Sequence, residues 1–122
     1  MPNINAALGC AQLENLDKYI ASKRAVAAEY IEHFKNVDGI DFFVEPENTF
    51  SNYWLSAVVL KDKESQLDFL QQTNDNGVMT RPIWELMNRL PMFENCENDG
   101  LGNTIWFADR VVNIPSSVRL NN

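Results

Sequence analysis

The chain has 122 residues, 45% of them hydrophobic, with a formal net charge of -7 and a pI near 4.5. That length suits a single domain over 1–122, since a domain of this size buries roughly two thirds of the surface its unfolded chain exposes. Ten Lys and Arg against seventeen Asp and Glu, with the basic residues scattered, exclude a nucleic-acid backbone or an anionic membrane as partner.

No apolar run approaches the roughly 18 residues of a membrane span, and Pro2 and Asn3 exclude the basic start of a secretory signal. The expectation is a cytoplasmic protein. Cys10 and Cys96 belong to no Cys-x-x-Cys pair, so neither a zinc site nor a thioredoxin motif has support, and no metal is expected. Both read as reduced thiols, with Cys10 in a helix core.

In chain order, Leu13, Leu16, Ile20, Ala27, Ile31 and Phe34 recur at steps of three, four or seven. This predicts one long helix, or two joined near Asp17, with Asn3 as N-cap and Asp38-Gly39 closing the pattern. Ile40 to Val44 and Tyr53 to Leu60, rich in β-branched and aromatic residues, predict two strands separated by a polar stretch around Pro46. Asp62 can cap a short helix from about Glu64 to Thr73 with Leu67 and Leu70 inward, and Asn76-Gly77 ends it in the left-handed manner. A third strand is predicted at Val78 to Thr80, stopping at Arg81-Pro82 because Pro82 cannot donate to a ladder. Trp84 to Gly102 reads as an ordered loop, Thr104 to Val111 as a last helix, and Val112 to Ile114 as a final strand. The sum is an α+β domain, with helices packed on one face of a small sheet.

A lysine that forms a Schiff base needs a pKa depressed by burial or by cationic neighbours. Lys18, Lys23 and Lys35 lie among acids on the long helix, and Lys61 and Lys63 flank a helix start, so all five read as solvated charges. His33, the single histidine, sits beside Glu29 and Glu32 near a helix C-terminus, where a cation suits the macrodipole, and reads as a surface residue. No catalytic residue is assigned. The most loaded stretch is Thr80 to Phe93, where Arg81, Trp84 and Asn88 supply a guanidinium, an indole and an amide. Such groups fork onto phosphate, stack on rings and bond to sugar hydroxyls. Composition alone favours a plainer reading, with Trp84, Leu86 and Met92 as core and Arg81 paired to an acid.

Several stretches together carry a resemblance. Ala6-Ala7-Leu8-Gly9 and Ala11-Gln12-Leu13, Thr80-Arg81-Pro82-Ile83-Trp84 with Leu90-Pro91-Met92-Phe93, Ser51-Asn52-Tyr53-Trp54-Leu55, and Val111-Val112-Asn113-Ile114-Pro115 occur in this order and spacing. In that order they resemble the C-terminal domain of the DegT/DnrJ/EryC1/StrS sugar aminotransferases, in the branch that aminates keto sugars for bacillosamine-like and legionaminic-acid-like glycans. The resemblance covers Met1 to about Val118. It implies a small domain like that of type I pyridoxal-phosphate-dependent transferases. It further implies that the catalytic lysine and most of the pyridoxal phosphate site lie upstream of Met1, so this chain alone would be inactive.

On the same resemblance, Arg81, Trp84 and Asn88 bind the nucleotide-sugar substrate, Asn88 standing where many relatives place a histidine. Asn3 and Asn5 lie near the cofactor end of the first helix, Ser51 to Leu55 forms a strand beneath the active site, and the whole enzyme is a homodimer. An amide cannot shuttle protons, so no acid-base role passes to Asn88. The competing expectation is a free-standing, non-enzymatic module that dimerises through the long helix, with exposed apolar surface driving association.

Overall fold

The computed structural model describes residues 1–119. Four α-helices, one 3-10 turn and four strands follow each other as α1 (Asn3–Leu13), α2 (Leu16–Phe34), β1 (Ile40–Phe42), β2 (Ser56–Leu60), α3 (Lys63–Asp75), β3 (Arg81–Pro82), a 3-10 turn at Met87–Arg89, α4 (Gly102–Ala108) and β4 (Val111–Ile114). The strands form one sheet in the order β1-β2-β4-β3, with every neighbouring pair antiparallel. The α+β architecture read from the sequence is the one observed.

The first helical stretch is two helices, and the break falls at Glu14 and Asn15, just ahead of Asp17. Asn15 turns its amide back to the Ala11 carbonyl at 2.9 Å, a side-chain bond that competes with continued helix. Asn3 is not the N-cap. Pro2 precedes the first turn with no side-chain cap, and Asn3 is already helical. Nor is Cys10 in a core, because α1 has no buried residue and Cys10 is exposed.

Period-two alternation decides which side of the sheet the helices cover. Val58, Leu60, Phe42, Val112 and Ile114 form the core with Ala27 of α2, and Tyr30, Phe34, Phe69 and Leu70 pack against it. The predicted stripe is only partly correct, since Leu13 on α1 and Leu16 and Ile31 on α2 are exposed while Val26 and Ala27 are buried. Small Ala27 lets the helix approach the sheet, and among the described residues no element covers the side of α1 and early α2 where the larger side chains lie. On α3 Leu70 packs inward as expected, but the fully buried residue is Gln66 and Leu67 is exposed. Gln66 Nε2 donates to the Ala108 and Val111 carbonyls at 3.0 and 2.9 Å, tying α3 to the turn between α4 and β4. Two backbone acceptors at that turn outcompete the apolar choice, because a buried carbonyl without a donor is costly.

Two other predicted strands move. Val78 to Thr80 is not a strand but the return that closes α3. Gly77 has φ +78°, Thr80 Oγ1 lies 2.6 Å from Thr73 Oγ1, and Asn74 Nδ2 donates to it at 2.9 Å. The ladder begins one residue later, at Arg81 and Pro82, and a proline is accommodated because β3 is an edge strand. The strand predicted from Tyr53 begins only at Ser56. Ser51 Oγ accepts from Tyr53 N, Asn52 Oδ1 accepts from Trp54 N, and Tyr53 adopts φ +45°, so side-chain turns curl this stretch. The last helix ends at Ala108, earlier than predicted, and β4 takes in Val111.

Candidate functional site

A groove of about 550 Å³ lies beside β3 and β4. Arg81, Trp84 and Asn113 line it together with the apolar Leu55, Met79, Pro82, Ile114 and Pro115. Arg81 reaches it through register. It pairs with Asn113 across β3 and β4, and Asn113 pairs with Ala57 across β4 and β2, so the three lie in one row on the face opposite Val58 and Val112. The contacts of Thr80 with Thr73 and Asn74 hold the approach to this row rigid.

Arg81 is exposed, and among the described residues no carboxylate pairs with it; its Nη2 lies 3.6 Å from Met79 Sδ. Trp84 is 70% exposed. The plainer sequence reading of this segment therefore holds only for Leu86, which is buried, since Met92 is also exposed. A guanidinium with no internal anion, next to an exposed indole in a largely apolar groove, can take an anion and a flat ring together.

The groove's other wall is held by α2. Lys23 Nζ donates to Ser116 O at 2.6 Å and to Trp54 O at 3.0 Å, and the Tyr30 hydroxyl donates to Pro115 O at 2.9 Å. Lys23 is therefore a half-buried brace between two chain segments and not a solvated charge. A larger groove of about 740 Å³ lies between α2 and the segment at Val118 and Arg119. Its strongest charge is already satisfied, with Arg119 Nη1 at 2.6 Å from Glu29 Oε2 and the Arg119 backbone exchanging hydrogen bonds with Ser22. The smaller groove, with its unpaired guanidinium, is the better candidate site.

The structure brings Arg81 and Trp84 together but not Asn88. Asn88 lies on the 3-10 turn and faces a separate cavity lined by Met87, Phe93, Cys96, Glu97, Asn98 and Leu101, which shares no residue with the Arg81 groove. Its Oδ1 is buried without a partner among the described residues. Asn3 and Asn5 are exposed on the first turn and a half of α1. Asn113 is the groove residue that motif reading passed over. A lone amide inside the apolar run Val111 to Ile114 was the signal that could have found it.

Among the described residues no three His, Cys, Asp or Glu side chains gather as a metal site requires, and no helix is long and apolar enough to cross a membrane. His33 is exposed and packs edge-on against Phe34 at 5.0 Å.

The chain shares its fold with about a third of the length of solved aminotransferases. The aminotransferase TlmJ from Streptoalloteichus hindustanus superposes with a TM-score of 0.85 at 20% identity, covering 96% of this chain and 31% of that one. Helicobacter pylori PseC, an aminotransferase involved in pseudoaminic acid biosynthesis, gives 0.86 at 16% identity, covering 97% and 33%. The chain belongs to the DegT/DnrJ/EryC1/StrS aminotransferase family, which matches residues 1–122. GDP-perosamine synthase of Vibrio cholerae is 30% identical over 122 residues, covering 95% of this chain and 32% of that protein. The chain spans 24% to 33% of the length of the curated relatives it matches first.

Aminotransferases of this family depend on pyridoxal phosphate. Lys23 is held by two carbonyls, Lys18, Lys35, Lys61 and Lys63 are exposed, and none of the five lines the Arg81 groove. A Schiff-base lysine is instead held near its reaction partner with its charge disfavoured.

Proposed function

We propose that this chain is the C-terminal domain of a cytoplasmic, pyridoxal-phosphate-dependent aminotransferase that acts, as a homodimer, on a nucleotide-linked keto sugar in surface glycan synthesis. The lysine and the cofactor site belong to a large domain outside these residues, and this chain contributes the groove beside β3 and β4. Arg81 forks onto the phosphates, and Trp84 lies along a ring of the substrate. Asn88, one cavity away, contacts a more distant part of it, and Asn3 and Asn5 lie toward the cofactor. The observation that carries the reading is the Arg81 guanidinium, left without a carboxylate beside the exposed Trp84 indole. The similarity to GDP-perosamine synthase supports a nucleotide-sugar substrate.

The test has two parts. Titrating the chain with GDP should change indole emission. Trp84→Phe should remove that change, and Arg81→Ala should weaken binding about tenfold or more, as expected for a lost charge-assisted contact. Incubation with pyridoxal phosphate followed by borohydride should leave every lysine without stoichiometric label. Full labelling of one specific lysine would overturn the assignment of the lysine to another domain.

A second reading, a non-enzymatic association module, draws on α1. Ile4, Leu8 and Leu13 are 81%, 62% and 69% exposed, and the helix buries nothing. Sedimentation as a monomer at high concentration would count against it.

A further inference from the structure

We infer that Asn113 is the second arm of an anion clamp with Arg81, its side-chain amide donating to an oxygen of the same group that the guanidinium forks. The inference rests on the nucleotide-sugar reading of the groove and deepens it by assigning a positioning residue.

Asn113 is a cross-strand partner of Arg81, and such pairs hold their Cβ atoms about 5 Å apart on one face of the sheet. An oxygen seated over the row is then within reach of both side chains. Asn113 lies on β4, a central strand flanked by β2 and β3, where its neighbours Val111, Val112 and Ile114 are all apolar and buried. Its side chain lies on the face opposite Val112 and Ile114, outside the core cluster those two join. Its other cross-strand partner, Ala57, is too small to cover it. Among the described residues its amide makes no hydrogen bond, although it is half-buried and lines the groove.

An amide so placed offers two N–H donors in a mostly apolar setting, where a hydrogen bond to an anion is worth more than in water. Arginine supplies the charge and a planar fork; the amide adds a donor from the adjacent strand and so fixes where the anion sits. The group taken is a phosphate of the nucleotide, although a carboxylate would present the same oxygen chemistry, and the experiment separates the two.

The experiment titrates the ¹⁵N-labelled chain with GDP and, separately, with glutamate, following side-chain signals. With GDP, the Asn113 amide and the Arg81 Nε–H are expected to shift on one binding curve while the Asn88 amide stays still; glutamate moves neither. Asn113→Ala weakens GDP binding about tenfold, the loss of one hydrogen bond to a charged group. Asn113→Asp, which keeps the shape and adds a negative charge, weakens it further, and its dispersed spectrum checks that the sheet is intact. If Arg81 and Trp84 respond while Asn113 does not, and Asn113→Ala binds like the parent, the clamp is wrong and the nucleotide site stands. A response to glutamate alone overturns the phosphate assignment. If neither ligand moves any groove residue, the clamp and the nucleotide reading fall together.

Discussion

Arg24 and Glu45 meet in a two-pronged ion pair, Nη1 to Oε2 at 3.0 Å and Nη2 to Oε1 at 2.7 Å, which ties α2 to the loop between β1 and β2. The pair sits in a small network. Glu45 also accepts from Ser51 N, Arg24 donates to Ser51 O at 2.7 Å, and the guanidinium lies over the Phe50 ring, 4.2 Å from its centroid. The loop it anchors leads to Trp54 and Leu55 and so sets one wall of the groove.

The Arg24 hydrogen bond first, then the Ser51 backbone N–H, hold the Glu45 carboxyl at about 2, below its ordinary value of 4.5. A carboxylate depressed in the folded state stabilises above its unfolded value, and this contribution is lost as pH falls through its folded value. Glu45→Gln should therefore melt below the parent at neutral pH. The difference should shrink below about pH 4.5 and vanish near pH 2. Thermal unfolding followed by circular dichroism across that range checks it; a difference independent of pH would mean that the pair is not its source.

Gln66→Leu should be costly despite its apolar surroundings. The substitution fills similar space but leaves the Ala108 and Val111 carbonyls without their donor, a loss of about 2–4 kcal/mol in a urea unfolding curve. The corner between α4 and β4 should loosen first, visible as faster amide exchange there.

Ser56 presents the opposite case. It is 1% exposed, faces the core, and its hydroxyl has no partner among the described residues. Ser56→Ala should be neutral or stabilising by up to about 1 kcal/mol, since an unpaired buried hydroxyl pays its desolvation without return. Substantial destabilisation in the same unfolding assay would show that the hydroxyl is satisfied after all.

Cys10 and Cys96 are both free and exposed. Ellman's reagent should therefore titrate two thiols per chain without denaturant. A single fast thiol that Cys96→Ser abolishes would restore the expectation that Cys10 is in a helix core.

By itself the sequence determined the element types, their order and the α+β class. Those follow from local physics, such as the Asp62 cap whose side chain accepts from Ser65 N and the left-handed Gly77 that ends α3. The motif from Thr80 to Trp84 was legible too, because residue types in a fixed spacing survive without a structure. Only the tertiary structure decided which residues meet. Strand register places Asn113 beside Arg81 across 32 residues of sequence (113 minus 81), and the 3-10 turn at Met87–Arg89 carries Asn88 to another cavity; residue type alone signals neither. Burial was misjudged where a long-range partner outweighed hydrophobicity, as with Gln66 inward and Leu67 outward, and where no partner covers an apolar helix, as on α1. Periodicity specifies a face, but what that face packs against is a property of the whole fold.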